Sequence, residues 1–287
     1  MSDRPDRRSS RISWIAASVA IALATAACFP GGALQARATA TDTWKRSYPL
    51  SKTGNVSITN VNGRVDVEGV DGSTVEVNAE RIAYGATDQL ADQLLTRIAI
   101  ADKATPDSVS LETQKIEGIL IGARYEVKYH VKVPKTASVL AVTVNGGVEG
   151  RSLGGRLVAR TTNGGIVGTA LSGGIEARVV NGGIQIRIAS VGKDDIIMAT
   201  VNGGIRLGLP EAAKATVSAG WVNGGMKMSG LKFEVRDESK RHFEGLLNGG
   251  GTSITLNTVN GGIAIASSSE DAKQEQTDGS RPEKLAE

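Results

Sequence analysis

The sequence predicts an all-β fold, a parallel β-solenoid with one short inserted helix near residues 87–98, and three observations predict it. The first is composition: 36 of 287 residues are glycine, against 3 tryptophans, 4 tyrosines and 3 phenylalanines. That balance suits a narrow aliphatic core better than the ring-filled core of a large enzyme. The second is a period. Asn-Gly-Gly begins at Asn145, Asn163, Asn181, Asn202, Asn223, Asn248 and Asn260, and the first five copies lie 18, 18, 21 and 21 residues apart. The third is alternation, since short runs such as Ile175–Val179, Ile184–Ile188 and Ile205–Leu209 switch between core-facing and polar residues as half-buried strands do.

The turn chemistry has a direct cause. Asn followed by Gly accepts the positive φ of a tight corner, and a second Gly lets neighbouring corners approach closely. Such corners belong either to antiparallel hairpins or to stacked parallel coils. The near-constant period, with the same residue class returning at the same phase, favours coils about 4.8 Å apart. Asparagines at equivalent corners then stack as an amide ladder. Directly after the second glycine come Val148, Ile166, Ile184, Ile205, Met226 and Ile263, one stripe of the expected core. Trp221, one residue from a turn, is expected at a corner or exposed.

Before the regular repeats of 137–266 stands a diverged part, 44–136. It opens with Ile58-Thr59-Asn60-Val61-Asn62-Gly63-Arg64-Val65 and the strand Thr74–Ala79. Between Thr87 and Ile98, Leu90, Leu94 and Leu95 recur at helical spacing behind a capping Thr87 or Asp88, which predicts the one amphipathic helix. Alternation returns at Ser108–Thr113 and Arg124–Val133.

The termini carry the cellular address. Residues 1–27 combine a basic start with the apolar run Ile12–Ala27, which is too short to span a bilayer and reads as a secretory signal. The single cysteine, Cys28, follows directly in Thr25-Ala26-Ala27-Cys28, which resembles a lipobox, where cleavage leaves an N-terminal cysteine carrying diacylglycerol. Thr25 departs from the aliphatic residue usual there. Cleavage at Ala24-Thr25-Ala26 or Ala36-Arg37-Ala38, with Cys28 removed or incidental, stays open beside it. Residues 28–43 read as a flexible tether and 267–287 as a disordered acidic tail, which brackets the folded body at 44–266. Of the formal charge of +3, the segment before the apolar run accounts for most, so no nucleic-acid footprint remains.

The repeat Thr200-Val201-Asn202-Gly203-Gly204-Ile205, the opening Asn60–Val65 and the segment Tyr125–Pro134 together resemble the adhesin-like β-strand-repeat family of bacterial envelope proteins, a domain of unknown function. The resemblance covers roughly Val56–Ala266. It implies the fold and an envelope location, and supplies no catalytic residues.

Chemistry is sparse. One cysteine and two histidines, His130 and His242, rule out a His/Cys metal cluster, and no cofactor is expected. The acids nearest to a polysaccharide-cleaving arrangement are Asp194 and Asp195 beside Lys193, without matching acids on adjacent coils. Arg187, Arg206 and Lys227 form a candidate basic binding stripe for an envelope polymer, glycan or protein, with simple solvation as the alternative. The threonines before the turns, Thr143, Thr161, Thr200 and Thr258, are a second candidate contact face, or reflect strand propensity alone. The sequence thus reads as a non-enzymatic, exported display module, held to a membrane through Cys28 if acylated. A periplasmic scaffold or envelope-stress accessory protein is the alternative, and a polysaccharide-active enzyme the remotest.

Overall fold

A computed structural model describes residues 38–117 and 122–269, all within the compact unit Leu34–Glu287. The signal segment and Cys28 lie outside the described residues, as do the first part of the expected tether and nearly all of the tail. The elements follow in order: β1 (Ala38–Pro49), β2 (Asn55–Thr59), β3 (Val65–Val70), β4 (Thr74–Gly85), α1 (Asp88–Arg97), β5 (Ile100–Thr105), β6 (Ser108–Thr113) and β7 (Arg124–Pro134). The repeats supply β8 (Ser138–Asn145), β9 (Val148–Arg151), β10 (Leu157–Asn163), β11 (Ile166–Leu171), β12 (Ile175–Asn181), β13 (Ile184–Ile188), β14 (Ile196–Asn202), β15 (Ile205–Leu209), β16 (Ala215–Asn223) and β17 (Met226–Ser229). The chain closes with β18 (Phe233–Glu238), β19 (His242–Leu247), β20 (Thr252–Asn260) and β21 (Ile263–Ser267).

These strands form two large, mostly parallel sheets. Sheet I runs β1-β4-β7-β3-β9-β11-β13-β15-β21-β17, and sheet II runs β18-β19-β16-β20-β14-β12-β10-β8-β2-β6-β5. Six of the seven Asn-Gly-Gly corners, all but that at Asn248, pass the chain from a strand of sheet II to a strand of sheet I, and the neighbouring coil repeats the step in parallel register, Asn163 beside Asn145 and Asn181. The result is a solenoid-like stack with an aliphatic core between the sheets. Ile166, Ile184, Ile205 and Ile263 from sheet I and Leu157, Ile175, Ile196 and Ile254 from sheet II are all buried in it.

Chain order and stack order differ at both ends. β20 and β21 insert between the coil β14–β15 and the coil β16–β17, so the last coil in the chain is not the last in the stack. At the other end β6 and β7 lie outside β2 and β3. Antiparallel strands then close off most edges: β4 and β1 beyond β7, β5 beyond β6, and the hairpin β19–β18 beyond β16. Helix α1, capped by the Thr87 side chain accepting from the Leu90 N–H, packs Ala91 and Leu94 against β4 and β1. The folded body begins six residues earlier than the sequence suggests. Ala38–Thr43, read as tether, pairs with Ile82–Gly85 and its neighbours as the first half of β1. The polar composition of that stretch reflects an edge strand, with one face in water, rather than an unpaired linker.

At this N-terminal end a buried polar cluster replaces the repeat. Asn60 donates to the carbonyls of Val127, at 2.8 Å, and of Gly63, at 3.1 Å. It accepts from Thr113 Oγ1 at 2.9 Å, and Thr113 in turn meets the Tyr129 hydroxyl at 2.8 Å. Burial pushes the Tyr129 hydroxyl up to about 12, partly opposed by that Thr113 contact.

Glycine governs the stacking. A Cβ on Gly164, whose φ is +148, would lie 2.1 Å from the Gly146 carbonyl oxygen, and one on Gly182 would lie 2.0 Å from that of Gly164. Gly225 in the terminal coil would meet nothing within 4 Å. Gly164→Ala is therefore expected to destabilise the protein by roughly 2–4 kcal/mol, through clash and backbone strain. Gly225→Ala is expected to stay within about 0.5 kcal/mol of the parent. Denaturant melts of the two variants beside the parent check the contrast.

Candidate functional site

The corner sets the geometry of everything beside it. Asn62, Asn145, Asn163, Asn181, Asn202, Asn260 and Asn223 stack in that order, each Nδ2 donating to the Oδ1 of the coil before it at 2.8–2.9 Å. The order follows the stack rather than the chain. Asn248 is not on this ladder. It sits at φ +50 in the turn after β19, where its Nδ2 donates to the carbonyls of Glu211 at 2.9 Å and Ala213 at 2.8 Å. Its local sequence matches the repeat, but the β18–β19 hairpin shifts it to the opposite corner. Asn62 takes the first rung instead.

Directly inside the ladder the threonine column turns inward. Thr161 donates to the Gly146 carbonyl at 2.7 Å, Thr200 to Gly182 at 2.9 Å, Thr258 to Gly203 at 2.9 Å and Thr143 to Gly63 at 3.1 Å. All four are buried. They are not a contact face. At these four corners a hydroxyl on the adjacent coil supplies the glycine carbonyl with a donor, so that neither group is left as a buried orphan. Val179 occupies the same column in one coil, and Trp221 ends it, half-buried.

The residue after this column therefore points out in each coil. Val144, Val180, Val201, Val222 and Val259 are 40–46% exposed and, with Thr162, make a stripe along the outer surface of sheet II. Successive coils about 4.8 Å apart give this stripe a length of roughly 24 Å. Together with Trp221 it lines an open groove of ≈ 830 Å³ whose wall carries Arg160, Arg178 and Arg241 and no carboxylate. At its rim Glu176 holds Arg160 at 2.8 Å, Arg178 at 2.9 Å and Arg156 at 3.5 Å. The hydrogen bonds from Arg178 and Arg160 hold the Glu176 carboxyl below its ordinary range. The carboxylate fixes two of the groove's guanidinium groups in orientation and leaves an excess of positive charge.

The expected basic stripe does not assemble on sheet I. Arg206 and Lys227 share a column but are separated by Ala264 of the inserted coil, while Arg187 lies beside Gly208 in another column. A second cavity of ≈ 640 Å³ opens on sheet I near its N-terminal end, lined by His130, Asp66, Lys132, Glu68 and Arg151 among others. Two of its charged side chains, Asp66 and Arg151, are held in ion pairs that reach beyond the lining to Arg64 and Glu149. His130 Nδ1 lies 3.2 Å from Asp66 Oδ2, and Arg64 and Arg151 both bind the buried Glu149. Lys193, Asp194 and Asp195 share one exposed turn. Among the described residues no group of three or more His, Cys, Asp or Glu side chains is placed to hold a metal.

No family model and no curated protein matches the chain. Among solved structures, a candidate cell adhesion protein from Clostridium sporogenes is similar with a TM-score of 0.38 at 11% identity, over 79% of this chain and 100% of that one. A candidate adhesin from Bacteroides fragilis gives 0.28 at 12% identity, over 79% and 97%. A candidate lipid-binding protein from Parabacteroides distasonis gives 0.22 at 10%, over 79% and 96%. Similarity at this level decides neither fold nor function.

The Glu176 cluster has a pH signature. Its folded carboxyl is more acidic than in the unfolded chain, so the cluster's stabilisation is fully present above the usual carboxylate range and is lost as pH falls through the folded value. Glu176→Gln is expected to cost less than about 1 kcal/mol at neutral pH, as for other solvent-accessible ion pairs. The gap from the parent should close on acidification, and melts at neutral and acidic pH read it directly.

Proposed function

We propose that the protein is a non-enzymatic β-solenoid display module of the cell envelope, and that its contact surface is the outer face of sheet II. In this reading residues 1–27 direct export, and Cys28 carries a lipid that ties the chain to a membrane through a tether running to Ala38. The coils present a rigid, periodic face to an extended envelope partner. The observation that carries the reading is the inverted polarity beside the ladder, where threonine is buried and valine exposed. Valine in water gives a single coil little beyond strand propensity, and an apolar stripe broken only by Thr162, with a cationic wall, marks a recognition surface. The partner's chemistry follows from that surface: extended, partly apolar and anionic, as an envelope polymer, an acidic glycan or a protein segment would be.

A second reading rests on a different observation. Sheet I stops at β17 while sheet II continues through β19 and β18, so β17 is an open edge. Met228, in register with the buried Ile265, is 42% exposed there. Strand addition at that edge would suit a scaffold acting through protein contacts.

The double variant Val180→Ser/Val201→Ser separates the two. Loss of two partly exposed valines should weaken sedimentation of the full-length protein with isolated cell envelopes about tenfold. Melting should hardly change. Unaltered retention assigns the contact elsewhere, with β17 next in line. Cys28→Ala tests the address separately: release from the membrane fraction supports the lipid anchor, and continued membrane association removes it.

A further inference from the structure

The sequence contains eight Asn-Gly pairs, at Asn62, Asn145, Asn163, Asn181, Asn202, Asn223, Asn248 and Asn260. Asn-Gly is chemically labile. The glycine nitrogen, once it loses its proton, attacks the asparagine Cγ, the bond from Cγ to the carboxamide nitrogen breaks, and ammonia leaves. The resulting succinimide takes up one water and opens to aspartate or isoaspartate. Two things restrain the reaction in a fold: a hydrogen bond that occupies the glycine N–H, and contacts that pin the carboxamide.

The ladder supplies both, but with a polarity. Each corner glycine N–H donates to the asparagine carbonyl of the following coil: Gly63 to Asn145, Gly146 to Asn163, Gly164 to Asn181, Gly182 to Asn202, Gly203 to Asn260 and Gly261 to Asn223, all at 2.8–3.0 Å. Every interior side chain also donates through Nδ2 and accepts through Oδ1. Asn62, at the first end, still has its glycine N–H engaged. Asn223, at the other end, has no coil beyond it. Among the described residues its Oδ1 accepts no ladder hydrogen bond, and the Gly224 N–H has no backbone acceptor. Its following residue, Gly225, faces open space.

We propose that Asn223 is a deamidation site built into the terminal coil, and that the six other ladder asparagines are protected by the stack. Conversion places a carboxylate where Asn223 Nδ2 had donated to Asn260 Oδ1, so two acceptors face each other and the last rung is lost. Isoaspartate also lengthens the backbone at the corner. The new charge adjoins Val222 and Trp221 of the sheet II groove.

The sequence makes the test clean. Tryptic segments 136–151, 161–178, 179–187, 194–206 and 215–227 each carry one asparagine: Asn145, Asn163, Asn181, Asn202 and Asn223. The folded full-length protein is held in mildly alkaline buffer, digested at mildly acidic pH, and the amide-to-acid mass change is followed in each segment. Segment 215–227 should convert at least about tenfold faster than the other four, since two restraints are missing and losing one hydrogen bond of ordinary net strength shifts an equilibrium roughly fivefold. In denaturant the five rates should converge. The proposal is overturned if an interior segment keeps pace with 215–227 in the folded protein. It is equally overturned if Asn223 stays intact while the denatured chain reacts, or if the same spread of rates persists in denaturant, which would place the cause in local sequence.

Discussion

One close approach governs this structure: the first glycine of each corner lies so near the corner carbonyl of the adjoining coil that a side chain has no room. A Cβ there would sit 1.9–2.1 Å from a carbonyl oxygen at every rung from Gly63 to Gly224. That contact sets the coils in register, and the register aligns three columns at once. The asparagine amides line up to bond one another, the threonine hydroxyls reach the glycine carbonyls, and the aliphatic residues after the corner stack into the core. None of these columns is independent. Opening the corner by the width of a methyl group would lengthen the amide bonds and free the carbonyls together, which is why the cost of an added side chain exceeds that of a simple surface change.

A stack of parallel coils leaves unpaired edges at its ends, and most of the irregular sequence deals with them. β1, β4 and α1 cover one end of sheet I, β5 covers the same end of sheet II, and β18 and β19 extend sheet II at the other end. Tyr48 on β1 reaches Asp102 on β5 at 2.7 Å and so joins the two sheets at the N-terminal end. Burial, together with that bond to Asp102, raises the Tyr48 hydroxyl above its ordinary range. β17 is a four-residue edge strand and carries Lys227, a residue type that blunts edges against indiscriminate pairing.

The same corner explains the surface. Because the carbonyl demands a hydroxyl donor inside, threonine takes the inward phase, and the residue after it is left in water. In a design meant only to fold, that outward position would be polar. Valine stands there at five of six coils, above arginines oriented by Glu176, so the stacking that stabilises the core also aligns the exposed stripe proposed as the contact surface. It is also the reason proposed for a reactive end of the ladder, since the corner glycine N–H groups all donate toward the following coil and the last of them, Gly224, has no coil to donate to.

Much of the fold is legible in the residues alone. The Asn-Gly-Gly period, the alternating aliphatic runs and the helix between Thr87 and Ile98 are local signals, each tied to turn geometry, strand pleat or helical spacing within a few residues. What they do not contain is position in the stack. Nothing near Asn248 distinguishes it from the rungs, and nothing near Lys227 reveals that Ala264 stands between it and Arg206. The insertion of β20–β21 is a long-range pairing that only the assembled sheets decide. The threonine column reads in the sequence as a candidate contact face for a related reason: hydropathy favours threonine outside, whereas its bond to the corner carbonyl, visible only once coils are stacked, turns it inward and leaves the next residue exposed. The pairing of Ala38–Thr43 likewise depends on a partner strand some forty residues away in the chain. The sequence by itself determined the repeating unit and its corners, because those obey local stereochemistry. The tertiary structure decided the order of the coils, the outward face and the open end, because those depend on which coil lies next to which.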